Sequence, residues 1–417
     1  MARGETGGGV GRAGEARSGV RTLQRRYGVK IVDVTEFYSE RGGGVRSHLT
    51  TRGHFLCQLG HDHVVIAPGP KDVETVLYAS TAPRGQSRLV RMAGPALPYD
   101  RTYHLLGRFA KIRTRIRAER PDVLEAHSPY LATAAIVAAG RSASRVRTAF
   151  WHADHVGTYL EPWMGRLARP LRLGVKALLA PFDATFVAGA GQARKLRGLG
   201  VKNVEHVPFG VDGTTFRPGA RDESVRRRLL DGREGAALLV GVGRFAFEKR
   251  WDVVLDAFAR VRAQRDAVLV LFGDGPERAK LERLAPPGVR FEGFETDRAK
   301  LAAALASADA LVHGCPGETF GLVVSEAVAC GLPVVVPDAG GALESADPSC
   351  GEIYASLDAG ACAAAVLRLL ARDPGELRAR ALEASGHVPT VAAHLARVLD
   401  VYAELLRSRP CPHANEP

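Results

Sequence analysis

The chain runs to 417 residues and 44.6 kDa, room for two or three domains at roughly 150 residues each. Hydrophobic residues make up 46% and charged residues 24%, a globular balance that excludes a collagen, a long coiled coil and a wholly disordered chain. The 57 Lys and Arg exceed the 45 Asp and Glu, and the formal charge of +12 favours an anionic partner, whether a phosphorylated small molecule, an anionic lipid surface or nucleic acid.

Residues 1–28 are rich in Arg and Gly and lack the continuous apolar segment of a secretory signal; they read as a disordered basic tail, or as a start assigned too far upstream. From Val29, short β-branched runs bounded by Gly and Pro alternate with Ala, Leu and Arg stretches at helical spacing, the rhythm of repeated strand-helix units. Strands are predicted over Val29 to Val34, His63 to Ala67, Val123 to Ala126, Arg147 to Trp151, Ala184 to Val187 and Val204 to Pro208, with helices over Gly44 to Leu59, Thr102 to Glu119 and Gly165 to Leu179. Asp212 to Arg221, containing Pro and Gly, reads as a linker. A second set of strands follows over Ala237 to Val242, Ala267 to Phe272, Val289 to Glu292, Ala310 to His313, Pro333 to Val336 and Gly351 to Tyr354. Its clearest helices are Asp252 to Gln264, Arg298 to Ser307 and Gly321 to Cys330.

Near-continuous apolar strands such as AALLVGV and AVLVLFG suit parallel sheets covered on both faces. The expected architecture is α/β, with two doubly wound, Rossmann-like domains: an N-terminal one over 29–215 and a C-terminal one over 216–387. A last helix over 388–408 is expected to pack back toward the first domain, ahead of a tail over 409–417. Two such sheets in tandem would hold a ligand in the cleft outside the carboxyl ends of their strands. Six scattered cysteines without a CxxC pair argue against a zinc site or disulfide framework and for a reducing, cytoplasmic setting. No stretch reaches the 18 or so apolar residues that would span a bilayer.

The chemistry-bearing residues follow strands. After the first strand, Glu40-Arg41-Gly42-Gly43-Gly44 opens a helix, and a glycine loop there lets backbone N–H groups approach a phosphate, or is simply a flexible turn. Thr81 to Arg120 holds ten basic residues against two acids, Asp100 and Glu119, and reads as a solvated face. With the Trp- and Leu-containing basic stretch around Trp163, it also fits an anionic membrane surface. His127 and His152 each follow a strand; alone, either reads as structural, and His127 is also placed on the acceptor side.

In the second half, Gly243-Arg244-Phe245-Ala246-Phe247-Glu248-Lys249 puts two cations five residues apart past a strand end, where both can converge on one diphosphate. Taken alone it is also a solvated loop. Gly273, in Gly273-Asp274-Gly275-Pro276, permits a tight turn near a ligand. The segment from His313 to Pro333 carries Glu318 and Glu326 eight residues apart across a helix start, whose N–H groups at Gly321, Leu322 and Val323 suit an anion. The carboxylates suit sugar hydroxyls, although the spacing equally fits a capping acid and a surface glutamate.

These motifs together resemble the retaining glycosyltransferases of GT-B fold in family 4, the family that includes phosphatidylinositol mannosyltransferases and sucrose synthases, over nearly the whole stretch from Val29 to Leu406. ETFGLVVSEAVACGLPVVVPDAGGALE resembles the family's paired-glutamate signature and its Gly340-Gly341-x-x-Glu344 turn, and GRFAFEK its phosphate loop. The resemblance implies that Arg244 and Lys249 hold the donor diphosphate, Glu318 the donor sugar and Glu326 the ribose. It further implies that Phe320, Gly321, Leu322 and Val323 line the sugar and phosphates, with Gly243 and Gly273 beside them. Gly43 and Gly44 would face the donor across the cleft, and His152 would contact the transferred sugar. His313 and Cys315 depart from the small polar residues usual there.

The expected function is retaining transfer of a hexosyl group, mannose or glucose, from a nucleotide-diphosphate sugar to a lipid, glycan or small-molecule hydroxyl. Arg244, Lys249 and the helix start would neutralise the leaving diphosphate, so no metal or other cofactor is expected. The acceptor would attack from the face the nucleotide leaves. The competing enzyme readings are a nucleotide-sugar epimerase or a phosphorylase on the same fold. The non-enzyme reading is a basic nucleic-acid-binding protein, against which stands the absence of recognisable aromatic-basic or zinc-finger motifs. A cytoplasmic protein, peripheral at the inner membrane face where its acceptor is a lipid, completes the expectation.

Overall fold

A computed structural model describes residues 28–39, 43–80, 85–98, 100–152, 154, 164–165 and 169–409. The sequence features at 1–27, Glu40 to Gly42, Arg84, His155, Trp163, Cys411 and 410–417 lie outside the described residues.

Two sheets organise the chain. The first comprises β1 (Lys30–Val34), β2 (Asp62–Gly69), β3 (Val73–Ala79), β4 (Gln86–Ala93), β5 (Val123–Ala126), β6 (Val146–Trp151), β7 (Ala184–Val187) and β8 (Val204–His206), in the order β3-β4-β2-β1-β5-β6-β7-β8. Every pairing in it is parallel except β3 with β4. The second comprises β9 (Ala237–Val242), β10 (Ala267–Phe272), β11 (Val289–Gly293), β12 (Ala310–Val312), β13 (Val334–Pro337) and β14 (Glu352–Tyr354), in the order β11-β10-β9-β12-β13-β14, all parallel. β10 is buried along its whole length, as a strand covered by helices on both faces must be. Helices Trp251–Arg262 and Ala359–Ala371 pack against each other over this sheet.

The chain passes between the two sheets twice, at adjacent points. Val211 pairs in parallel with Thr390, and its N–H donates to the Pro389 carbonyl at 2.8 Å. The helix Val391–Arg407 then returns to the first sheet, against helix Gly44–Gln58 and β6. Its Val398, Leu399, Tyr402 and Leu406 are buried with Ile31, Phe150 and Phe186, each apolar side chain worth about 2 kcal/mol by area removed from water.

Three expectations are corrected. The antiparallel edge β3 and its neighbour β4 were not predicted, because β3 is largely exposed and β4 interleaves Arg88 and Arg91 with apolar residues. The helix predicted from Thr102 starts only at Phe109; before it, His104 bridges to Ala96 and Gly107 interrupts the run. The basic stretch is not simply a solvated cationic face. Asp72 and Glu74, just before and within the unpredicted β3, take up Arg108 at 2.8 Å, Lys111 at 2.6 Å, Arg88, and Arg115 at 2.9 Å, while Arg101 and Arg113 stay exposed. The described cysteines Cys57, Cys315, Cys330, Cys350 and Cys362 are buried free thiols. No helix among the described residues is long and apolar enough to cross a membrane.

Candidate active site

The loops after β9, β10 and β12 come together at the carboxyl edge of the second sheet. Gly273 lies so close to the Gly243 carbonyl that a β-carbon there would sit 1.9 Å from its oxygen, which is why the two loops pack backbone to backbone. The Trp251 indole donates to the Arg244 carbonyl at 2.9 Å and fixes the loop between. Each of the two cations expected to converge is held by carboxylates. Arg244 bonds to Glu248 at 2.7 Å and to Asp100 of the first half at 3.2 Å, with its guanidinium over the Tyr103 ring. Lys249 Nζ lies 2.5 Å from Glu318 Oε2.

Both members of the Lys249–Glu318 pair are 21% exposed. Burial opposes the charge on Glu318, but the Lys249 ammonium, with His313 Nε2 at 3.6 Å, outweighs it and holds the carboxyl well below the usual carboxylate range. The same pairing overcomes burial to hold Lys249 above its ordinary value. Cys315, behind them, is inert by contrast: burial pushes its thiol up to about 12.

Gly321 caps the helix Leu322–Ala329 at φ +79°, and a β-carbon there would meet the Ala342 backbone at 2.9 Å, so both backbone and space demand glycine. No side chain caps this helix, and among the described residues the N–H groups of Leu322 and Val323 have no partner, an arrangement suited to an anion. Phe320, just before, is buried edge-on to Phe209. Glu326 is not the surface residue its spacing allowed. It is 5% exposed and hydrogen-bonded to Arg298; burial raises its pKa while Arg298 opposes that shift.

The first sheet contributes the opposite wall. Gly43, at φ +113°, precedes helix Gly44–Gln58, a β-carbon there would sit 3.2 Å from the Tyr103 hydroxyl, and Gly44 is exposed. His152, directly after β6, stacks on Phe150 with ring centroids 4.6 Å apart, and its Nε2 lies 2.8 Å from His127 Nδ1. The Thr319 hydroxyl donates to the His152 carbonyl, which sets His152 next to the Glu318 loop. Glu344 of the Gly-Gly turn accepts from the N–H groups of Ala190 and Gly191, both at 2.6 Å, and Gly341 N–H donates to the Glu318 carbonyl at 2.6 Å. Sequence reasoning missed Asp100 and Tyr103 as partners of Arg244, and no local pattern marks them.

Among the described residues, three groups of side chains bring metal-ligand atoms within 4.8 Å of one another: His48, His127 and His152; His313, Cys315 and Glu318; and Asp33, Glu125 and His127. The second shares Glu318 with the Lys249 ammonium and the third shares both carboxylates with Arg52, so a fixed cation already stands where a metal would.

Residues 42–214 match the family described as Glycosyltransferase Family 4, and residues 236–372 match Glycosyl transferases group 1. The chain is 35% identical over 315 residues to a GDP-mannose-dependent alpha-(1-6)-phosphatidylinositol dimannoside mannosyltransferase of Mycobacterium tuberculosis, covering 74% of this chain and 79% of that one. It is 30% identical over 354 residues to a GDP-mannose-dependent alpha-mannosyltransferase of Mycolicibacterium smegmatis, covering 82% and 89%. Among solved structures, the sucrose-phosphate synthase of Thermosynechococcus elongatus superposes with a TM-score of 0.74 at 21% identity, over 91% of this chain and 100% of that one. A complex of Anabaena HepE with UDP-glucose superposes with a TM-score of 0.67 at 17% identity, over 91% and 100%. At these identities the structures speak for the fold, which is GT-B.

Proposed function

The chain belongs to the group 1, family 4 glycosyltransferases and moves a glycosyl group from a nucleotide sugar; within that family we propose that it transfers mannose from GDP-mannose to a hydroxyl of a glycolipid, with retention of configuration. The observation that carries the site is the half-buried Lys249–Glu318 pair beside the uncapped start of helix Leu322–Ala329, tied through Thr319 to His152. Lys249, Arg244 and the N–H groups of Leu322 and Val323 take the diphosphate charge, so the reaction requires no metal. Gly243, Gly273, Gly321 and Phe320 shape the donor site, Glu318 accepts from the sugar hydroxyls, and Glu326 accepts from the ribose. Gly43 and Gly44 close on the donor from the first sheet, and His152 contacts the sugar. The acceptor oxygen bonds to the anomeric carbon as the bond to the diphosphate breaks on the same face, and the leaving phosphate takes the acceptor proton. The relatives' names support mannose, guanosine and a phosphatidylinositol-based acceptor, and the charge of +12 supports docking at an anionic inner membrane surface.

Titration calorimetry with GDP, UDP and ADP, followed by turnover of GDP-mannose on phosphatidylinositol mannoside vesicles, tests this. Preferred binding of GDP and an α-linked product are expected. A preference for another nucleotide overturns the donor assignment, and a β-linked product overturns retention.

A further inference from the structure

His127 sits beneath His152 in a buried charge network that the transfer reaction as described does not use. It has 0% exposure. Its Nε2 lies 3.1 Å from Glu125 Oε1 and 3.4 Å from Asp33 Oδ1, and its Nδ1 lies 2.8 Å from His152 Nε2. A carboxylate only accepts, so beside these acids the Nε2 proton belongs to His127, held there by charge and proximity, since among the described residues Nε2 has no aligned hydrogen-bond partner.

The charges around it leave an opening for one more cation. Asp33 and Glu125 resist burial as anions because Arg52 lies against both, 2.5 Å from Glu125 and 3.4 Å from Asp33; Glu125 is held down to about 2 and Asp33 well below its ordinary value. Two anions against one guanidinium leave one negative charge over. Of the other groups facing this space, His63 stands against Asp33 alone. His63 donates from Nε2 to Asp33 at 2.8 Å and meets the Ser87 hydroxyl at 2.9 Å through Nδ1. His48 is kept neutral by burial and by its histidine neighbours, and burial lowers His394 to about 4. Thr148 donates to Glu125 Oε2 at 2.6 Å, and the Tyr402 hydroxyl donates to the same oxygen at 2.7 Å while accepting from Arg52 at 2.5 Å. The remaining proton acceptor in contact with both acids is His127, and although burial disfavours its charged form, the two carboxylates raise its pKa.

We propose that His127 is a positioning residue for His152: as an imidazolium it donates from Nδ1 to His152 Nε2, which leaves the proton of neutral His152 on Nδ1. A ring whose tautomer is set presents one fixed hydrogen-bonding nitrogen to the sugar instead of two interchangeable ones. The last helix thereby reaches the reaction, since Tyr402 orients Glu125, Glu125 orients His127, and His127 orients His152. The inference rests on the reading of His152 as a sugar contact.

Nitrogen NMR of histidine-labelled protein, with peaks assigned from His127 and His152 variants, reads the protonation states directly. Expected at pH 7 are a doubly protonated His127 and a His152 protonated on Nδ1 alone; a neutral His127, or a proton on His152 Nε2, overturns the proposal whatever the kinetics show. In turnover, His127→Asn keeps a donor near the Nδ1 position and should stay within about threefold of wild-type kcat, whereas His127→Leu should lose on the order of 100-fold with donor Kd unchanged. The wild-type kcat should also fall at alkaline pH as His127 deprotonates, and His127→Asn should lack that limb. Equal kcat and equal pH profiles for Asn, Leu and wild type would overturn the positioning role. The reading of His152 fails separately, through a His152→Ala variant that retains wild-type kcat, while the NMR result still judges the tautomer. If His127→Leu does not fold, the wild-type NMR and the Asn profile decide.

Discussion

The two sheets share a strand-helix plan but bury different chemistry. Around the second, the core is an apolar sheet of Leu, Val, Ala and Phe, and the charges of the site, Arg244, Lys249 and Glu318, stand in loops past the strand ends. Around the first, Asp33, Arg52, His63, Glu125 and His127 are all at most 1% exposed, between the sheet and the helices Gly44–Gln58 and Val391–Arg407. A buried ion is tolerated only when paired, because leaving one partner alone forfeits its hydration with nothing in return. The contrast teaches that folding and the loop charges of the site are separable in the second half, Glu326 excepted, and held by the same residues in the first.

The largest effect that would break this contrast belongs to Arg52. Arg52→Leu strands Asp33 and Glu125 and should lower the unfolding free energy by about 3 to 5 kcal/mol in chemical denaturation; a loss below about 1 kcal/mol would mean the network carries little of the fold. Lys249→Ala is the counterpart in the second half. It should weaken GDP binding by roughly 2 to 5 kcal/mol in calorimetry while costing at most about 1 kcal/mol of stability, since its ion pair is partly exposed. Smallest is a pH effect at the last helix, where it packs on the first sheet. His394, whose ordinary pKa is 6.5, is held near 4 by burial, with Nδ1 donating to the Pro208 carbonyl. A depressed folded pKa contributes stability above 6.5 that is lost as pH falls through 4, at most about 3 kcal/mol. Denaturation at stepped pH should show that loss in wild type and not in His394→Gln.

Much of this is legible in the sequence. β9 and β10 were predicted to the residue, because strands covered on both faces need unbroken apolar runs. The Glu318 to Glu326 segment was equally legible, since a helix start at Gly321 leaves a local mark. What escaped was nonlocal or amphipathic. β3 reads as polar because it is an edge, and with it went Asp72 and Glu74, the partners of the basic stretch. The spacing of Glu326 allowed a surface glutamate, and its burial and its partner Arg298, 28 residues earlier in sequence, appear only in the fold.

Determined by the sequence alone were the two parallel sheets, the glycine-bounded loops after their strands and the types of side chain those loops carry, because each depends on periodicity or backbone freedom within a few residues. Only the tertiary structure decided which charges meet. Arg244 finds Asp100 across 144 residues, Glu344 caps Ala190 and Gly191 across the cleft, and Tyr402 reaches Glu125 across 277 residues. Ion pairs and buried hydrogen bonds act over a few ångströms of space whatever the separation along the chain, so no local pattern records them and only the packed sheets bring them together.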